Sequence, residues 1–203
     1  MLEYTGINHL ALVTNDMQAT IRFWRDLLGL RLVVGLGSRG YKHYFFQISG
    51  QDLVAFFEWP RVEKMPEKDH GVPVQGPFAF DHVSIGVKDL EGLWELKDRL
   101  EAAGFWVSEV VDHGFIYSLY SFDPNNIPIE FSVLSPELDV RSQPCMADKS
   151  PCAAALEGPE PQHGHWPAAE QPSQEEDKLI FPGEGKELKE AARKGWPGAR
   201  NKD

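Results

Sequence analysis

Two cysteines, Cys145 and Cys152, stand in a chain of 203 residues. One disulfide between them is open, but the preferred reading is two free thiols in a reducing, cytoplasmic compartment. Long apolar runs are missing as well: no stretch approaches the roughly 18 residues that a membrane-spanning helix needs. The start, Met1-Leu2-Glu3-Tyr4, has neither the basic residues nor the apolar core of a secretory signal, so none is expected. Positive charge is scarce. Twenty Lys and Arg face 31 Asp and Glu, a net charge of −11, which disfavours nucleic acid and anionic membranes as partners. What remains is 42% hydrophobic and 11% aromatic residues, enough to build a core without staples.

One phrase occurs twice. Phe80-Asp81-His82-Val83-Ser84-Ile85-Gly86-Val87 alternates as a strand does, with Val83, Ile85 and Val87 on one face and His82, Ser84 and Gly86 on the other. Asp89 follows as a helix N-cap. Leu90, Leu93, Trp94, Leu96 and Leu100 then recur at helical spacing, and Gly104 ends the helix. Earlier, Gly6-Ile7-Asn8-His9-Leu10-Ala11-Leu12-Val13 is a strand with its histidine in the matching place. Asn15 or Asp16 caps the next helix, which carries Ile21, Phe23, Trp24, Leu27 and Leu28 and stops at Gly29. His9 and His82 are therefore equivalent positions of an internal repeat.

Each copy continues with three strands. In module one, residues 4–59, these are Arg31 to Leu36, Lys42 to Ile48 and Leu53 to Trp59. In module two, residues 78–134, they are Phe105 to Val111, Ile116 to Phe122 and Ile127 to Val133, with Asp123-Pro124-Asn125-Asn126 as a turn. The proline-rich stretch 60–77 is the linker. The predicted fold is α+β: two tandem βαβββ modules within residues 1–137. Residues 138–203 read as an irregular tail, with one short helix from Glu184 to Lys194. Within the tail, His163 and His165 make only a weak metal motif. Leu179, Ile180, Phe181, Trp166 and Trp196 are its candidate anchors.

The last strand of each module carries a glutamate among apolar residues, Glu58 in Phe56-Phe57-Glu58-Trp59 and Glu130 in Ile129-Glu130-Phe131. His9 precedes Glu58 by 49 residues and His82 precedes Glu130 by 48. A buried, unpaired carboxylate costs several kcal/mol, on the order estimated for lone buried charges. A divalent cation removes that cost, and imidazole with carboxylate suits Fe, Ni, Zn, Co or Mn. The expected metal ligands are His9, Glu58, His82 and Glu130.

These phrases resemble the vicinal oxygen chelate superfamily, which includes glyoxalase I, methylmalonyl-CoA epimerase, fosfomycin-resistance proteins and extradiol dioxygenases. The resemblance covers about residues 4 to 134. It implies that the modules curl into an eight-stranded barrel around a metal that takes two neighbouring oxygens of a small-molecule substrate. Family members pair their modules within a chain or between chains, so a homodimer is in keeping with it. Two enzyme classes follow. Glyoxalase- and epimerase-like lyases or isomerases use four protein ligands, with Glu58 as the fourth and as a base. Extradiol dioxygenases use three, corresponding to His9, His82 and Glu130, and resemble this chain at Tyr120 and, more loosely, at His113. A metal-free binding protein is the non-enzymatic alternative. The reading prefers the lyase or isomerase, with Glu58, Tyr120 and His113 as catalytic candidates. Against this, Tyr120 is equally well a core aromatic and His113 a turn histidine, while Arg22, Arg25, Arg39 and Lys42 are surface cations rather than a glutathione site.

Overall fold

The computed structural model describes residues 7–37, 41–68, 71–73, 80–148, 153–160, 171–183 and 185–196. His70, Cys152, His163, His165 and Trp166 lie outside them. The chain divides into two units, Met1–Cys145 and Met146–Asp203.

In the first unit the alternation around His9 becomes β1 (His9–Thr14). Asp16, not Asn15, caps the following helix, its carboxylate accepting the Ala19 N–H at 3.0 Å. Helix α1 (Met17–Ile21) widens into a π-helical stretch, Arg22–Leu27, in which the Leu28 N–H reaches back to the Phe23 carbonyl. That wider turn lets adjacent aromatics, Phe23 and Trp24, both point inward, where they are 2% and 0% exposed. Gly29 ends the helix at φ +80°, a conformation glycine adopts without strain. Strands β2 (Arg31–Leu36), β3 (Lys42–Gln47) and β4 (Leu53–Glu58) complete the module.

Module two repeats the order. Strand β5 (Val83–Gly86) leads to α2 (Leu90–Ala102), capped by Asp89 through the Gly92 N–H at 2.9 Å and closed by Gly104 at φ +81°. Strands β6 (Val111–Asp112), β7 (Ile116–Phe122) and β8 (Pro128–Leu134) follow. The expected strand from Phe105 to Val111 is mostly irregular. The Ser108 hydroxyl takes the Tyr120 N–H at 2.9 Å, a side chain in place of a ladder carbonyl, and only a Val107–Ser121 bridge and β6 survive.

The strands form two four-stranded sheets, ordered β1-β4-β3-β2 and β5-β8-β7-β6. In each, the first strand runs parallel to the fourth and the other pairings are antiparallel. The α+β fold of two βαβββ modules is thus observed.

One face of each sheet is covered by its helix. Val54, Phe56 and Phe46 pack with Trp24 on one side; Ile85, Ile129 and Phe131 belong to the same core as Leu93 and Leu100. Burying each such side chain contributes about 1.5–3 kcal/mol. The modules meet on this helix side. Phe23 packs edge-on to Phe105 at 4.8 Å, and Trp24 Nε1 donates to Asp123 across the junction at 3.3 Å. Thr14 donates to Asn125 at 2.8 Å. Asn126 sits at φ +60°, where asparagine is tolerated, and its amide holds the linker at the Met65 carbonyl.

In the second unit, short 3₁₀ turns at Ala153–Glu157 and Glu175–Asp177 precede helix α3 (Gly185–Lys194), and Ile180 and Phe181 are 99% and 80% exposed. Among the described residues no helix is long and apolar enough to cross a membrane.

Candidate metal centre

Period two decides which side chains share a face. His82 directly precedes β5, and Ser84, two residues on, pairs with Glu130 of β8, which pairs with Tyr120 of β7. His82, Glu130 and Tyr120 therefore stand together on the face away from α2. Nε2 of His82 lies 3.2 Å from Oε2 of Glu130. The Tyr120 hydroxyl donates to Oε1 of Glu130 at 3.1 Å, and His113 Nε2 lies 2.9 Å from the same hydroxyl. With its one proton given to Glu130, Tyr120 accepts from His113. Glu130 is 4% exposed. Burial pushes its pKa up, but the hydroxyls of Ser118, Ser84 and Tyr120 and the nearby His82 outweigh that, so it stays below the ordinary carboxylate range. Burial, reinforced by the Glu130 charge, pushes the Tyr120 phenol up to about 12.

The His82 ring is oriented from behind. Its Nδ1 is 2.8 Å from Oδ1 of Asp81, and Lys68 and His82 hold Asp81 well below the usual carboxylate range. An ionised carboxylate only accepts, so Nδ1 carries the proton. Nε2 then faces a carboxylate oxygen of Glu130. A nitrogen 3.2 Å from a carboxylate oxygen is bridged by a proton or by a cation, and a carboxylate-backed imidazole is the usual outer layer of a metal site. His9 repeats the device: its Nδ1 is 2.9 Å from Oδ1 of Asn8, so Nε2 is again the nitrogen turned outward. Asn8 and Asp81, read in the sequence only as neighbours of the histidines, are the residues that orient them. Their signal was the polar side chain one position before each histidine.

The four expected ligands do not gather within one chain. His9 is exposed on the outer edge of the first sheet, and among the described residues no three His, Cys, Asp or Glu side chains cluster as a metal site.

A family model, the Glyoxalase/Bleomycin resistance protein/Dioxygenase superfamily, matches residues 6–131. The chain belongs to this superfamily. A glutathione transferase, FosA of Serratia marcescens, is 25% identical over 130 residues, covering 63% of this chain and 80% of FosA. A glyoxylase/bleomycin resistance protein/dioxygenase domain from Frankia sp. EAN1pec shares the fold at 20% identity and a TM-score of 0.55, covering 66% of this chain and all of that one. The fosfomycin resistance protein FosX of Listeria monocytogenes does so at 17% and 0.50, covering 66% and 95%.

Within this superfamily fold, the ladder register separates Glu58 from the other expected ligand positions. Two residues after His82, Ser84 pairs with Glu130; two after His9, Ala11 pairs with Ala55. Ala55, not Glu58, is the structural counterpart of Glu130. Glu58 lies three positions further along, on the helix-covered face. There its carboxylate accepts the Met17 N–H at the start of α1 at 2.9 Å and pairs with Lys42 at 2.5 Å. Lys42, Arg22 and Arg25 line a cavity of about 310 Å³ on that side, with Arg22 and Arg25 paired to Asp26.

Burial works to raise the Glu58 pKa, but Lys42 and the Met17 N–H outweigh it and lower it from 4.5. A depressed carboxylate adds stability above its unfolded pKa and loses it as pH falls through the folded value. Glu58→Gln should therefore retain all bound metal and lose under about 1 kcal/mol at neutral pH, because its Lys42 partner is half exposed. The gap to the parent should close below about pH 4, in the range where carboxylates titrate. Metal analysis and thermal melts across pH would check this; loss of the cation in Glu58→Gln would return Glu58 to the ligand set.

Proposed function

We propose that this chain is a divalent-metal-dependent enzyme acting on a small molecule with two neighbouring oxygens. The cation is held by His82 and Glu130 of one copy and His9 of a second. The observation that carries this reading is the His82–Glu130 pair, an imidazole nitrogen 3.2 Å from a buried carboxylate with the ring oriented by Asp81. His9 shows the same preparation on an open face, while the junction within one chain uses the opposite, helix side. A second copy related by a two-fold axis would place each His9 face against a His82 face.

Two imidazoles and one carboxylate suit Fe, Ni, Zn, Co or Mn and leave coordination positions open for a substrate. When bound, the cation supplies Lewis acidity to the substrate oxygens. The protein supplies the rest. Tyr120 holds Glu130 in place and presents a phenolic proton at the site. His113, exposed in its turn, connects that phenol to solvent. With Glu58 on the far face, this three-ligand arrangement supports addition to, or cleavage of, a bound substrate over the four-ligand lyase or isomerase scheme.

The test is complementation. His9→Ala and His82→Ala homodimers should each bind little cation. Mixed and allowed to exchange, they should regain about a quarter of the parent's zinc or manganese, because half the dimers are mixed and each has one intact site of two. No recovery, with both variants folded, would overturn the shared site.

A further inference from the structure

Arg22, Arg25 and Lys42, scattered surface cations in the sequence, gather around one cavity of about 310 Å³ between the helix of module one and β3. Buried Met17 and half-buried Ile21 give it an apolar lining, and Tyr44 an aromatic one. Arg22 and Arg25 flank Phe23 and Trp24, which the π-helical turn sends inward, and so stay outside the core. Asp26 fixes them as a pair: it accepts from Arg22 Nη1 at 2.7 Å and from Arg25 Nε and Nη2 at 2.7 and 3.1 Å. Lys42 and Tyr44 stand two residues apart on β3 and share its helix-covered face. Gly35 of β2 pairs with Tyr44, and a Cβ there would stand 3.3 Å from the Tyr44 ring, so glycine makes room for the ring on β2.

We propose that this cavity, on the face of the sheet opposite His9, binds a small phosphate monoester with an apolar or aromatic body. The choice of ligand follows from the donors. A guanidinium carries five N–H groups and an ammonium three. Arg22 gives one to Asp26, Arg25 gives two, and Lys42 gives one to Glu58, so all three keep hydrogens for a ligand. Asp26, Glu58 and, at longer range, Asp16 nearly offset the three cations, so recognition is by donor geometry rather than by net field. A carboxylate has two oxygens and is satisfied by one guanidinium fork, as Asp26 already is by Arg25. A phosphate monoester presents three oxygens and roughly −1.5 to −2 charge at pH 7, enough to take donors from the helix and from β3 together. Its body then packs on Met17, Ile21 and the Tyr44 ring.

Calorimetric titration of the full-length, EDTA-treated protein at low salt with phenyl phosphate, inorganic phosphate and benzoate would test it. Phenyl phosphate should bind tightest. Inorganic phosphate lacks the ring and benzoate lacks the third oxygen, so each should bind more weakly. Arg25→Gln and Lys42→Gln should each weaken phenyl phosphate roughly tenfold, the range of one hydrogen bond to a charged group. Both variants should melt close to the parent, because Lys42→Gln keeps a donor for Glu58 and Arg25→Gln leaves Arg22 on Asp26. Lys88→Gln, which removes an exposed cation outside the cavity, should leave affinity unchanged. Equal weakening by Lys88→Gln would reduce the effect to net charge and overturn the site. Benzoate binding as tightly as phenyl phosphate would overturn the phosphate assignment. Phosphate binding that appears only after zinc is restored would belong to the metal centre and overturn the cavity, while binding undiminished by EDTA and lost in Arg25→Gln and Lys42→Gln would sustain it.

Discussion

Replacing Glu130 with Gln is expected to abolish metal binding without weakening the metal-free protein. Glu130 is buried beside Tyr120 and His82. Glutamine keeps the shape, and its amide oxygen still accepts from the Tyr120 hydroxyl. Its NH₂ then faces His82 Nε2 and can donate to it once Nδ1 holds the ring's proton, so a hydrogen bond replaces the contact at 3.2 Å. The variant's melting temperature without metal should equal or exceed the parent's. With metal the order reverses. A cation at a hundredfold excess over its Kd stabilises the parent by about 2.7 kcal/mol, and this rise should vanish in Glu130→Gln. The affinity lost should exceed the roughly 10–100-fold that outer-layer partners of metal ligands contribute. Thermal melts with and without zinc or manganese, together with metal content, would check it. An undiminished metal-dependent rise in the variant would show that Glu130 is not a ligand.

Replacing Asp123 with Ala should destabilise the protein more than any change at the metal centre. Asp123 is 2% exposed and accepts from the Asn125 N–H at 2.7 Å, the Ile127 N–H at 3.0 Å, the Asn125 amide at 3.0 Å and Trp24 Nε1 at 3.3 Å. Alanine removes every one of those acceptors at once. The orphaned indole is itself fully buried, and the turn that positions β8, and with it Glu130, loses its closure. The expected loss is about 2–4 kcal/mol, from buried donors left unpaired at about 1–3 kcal/mol each, less what is regained because burial already raises the Asp123 pKa, against a total stability of about 5–15 kcal/mol. Asp123→Asn keeps the two backbone contacts through its remaining oxygen and should lose less. Urea unfolding would read both. An Asp123→Ala midpoint indistinguishable from the parent's would show that the turn and the Trp24 contact are dispensable.

Trp24 and Asp123 also mark where sequence reading stopped. Local chemistry was legible along the chain. Period-two alternation located β1 and β5, Asp89 and Gly104 bracketed α2, and Asn126 in a Pro-Asn-Asn turn took the positive φ that asparagine tolerates. These features depend on residues a few positions apart, and the repeat of His9 and His82 followed from them. The phenol and imidazole of Tyr120 and His113 were visible as candidates. Their hydrogen bond across β7, and that of Tyr120 to Glu130 on the next strand, were not.

Glu58 shows the reason. Counting from the histidines, 49 residues against 48, made it the twin of Glu130. Loop lengths differ between the modules, and the ladder put Ala55 in that place instead. An odd offset of three positions carries a side chain to the opposite face of a strand, so Glu58 ended at the start of α1 with Lys42. Strand register is set by pairing between distant segments and by which face the core covers, and no local pattern encodes it. The sequence by itself determined the elements apart from the strand at Phe105, their order, and the equivalence of His9 and His82. Tertiary structure alone decided that Glu130 meets His82, that Glu58 does not, and that the modules join on their helix sides and leave both histidine faces open.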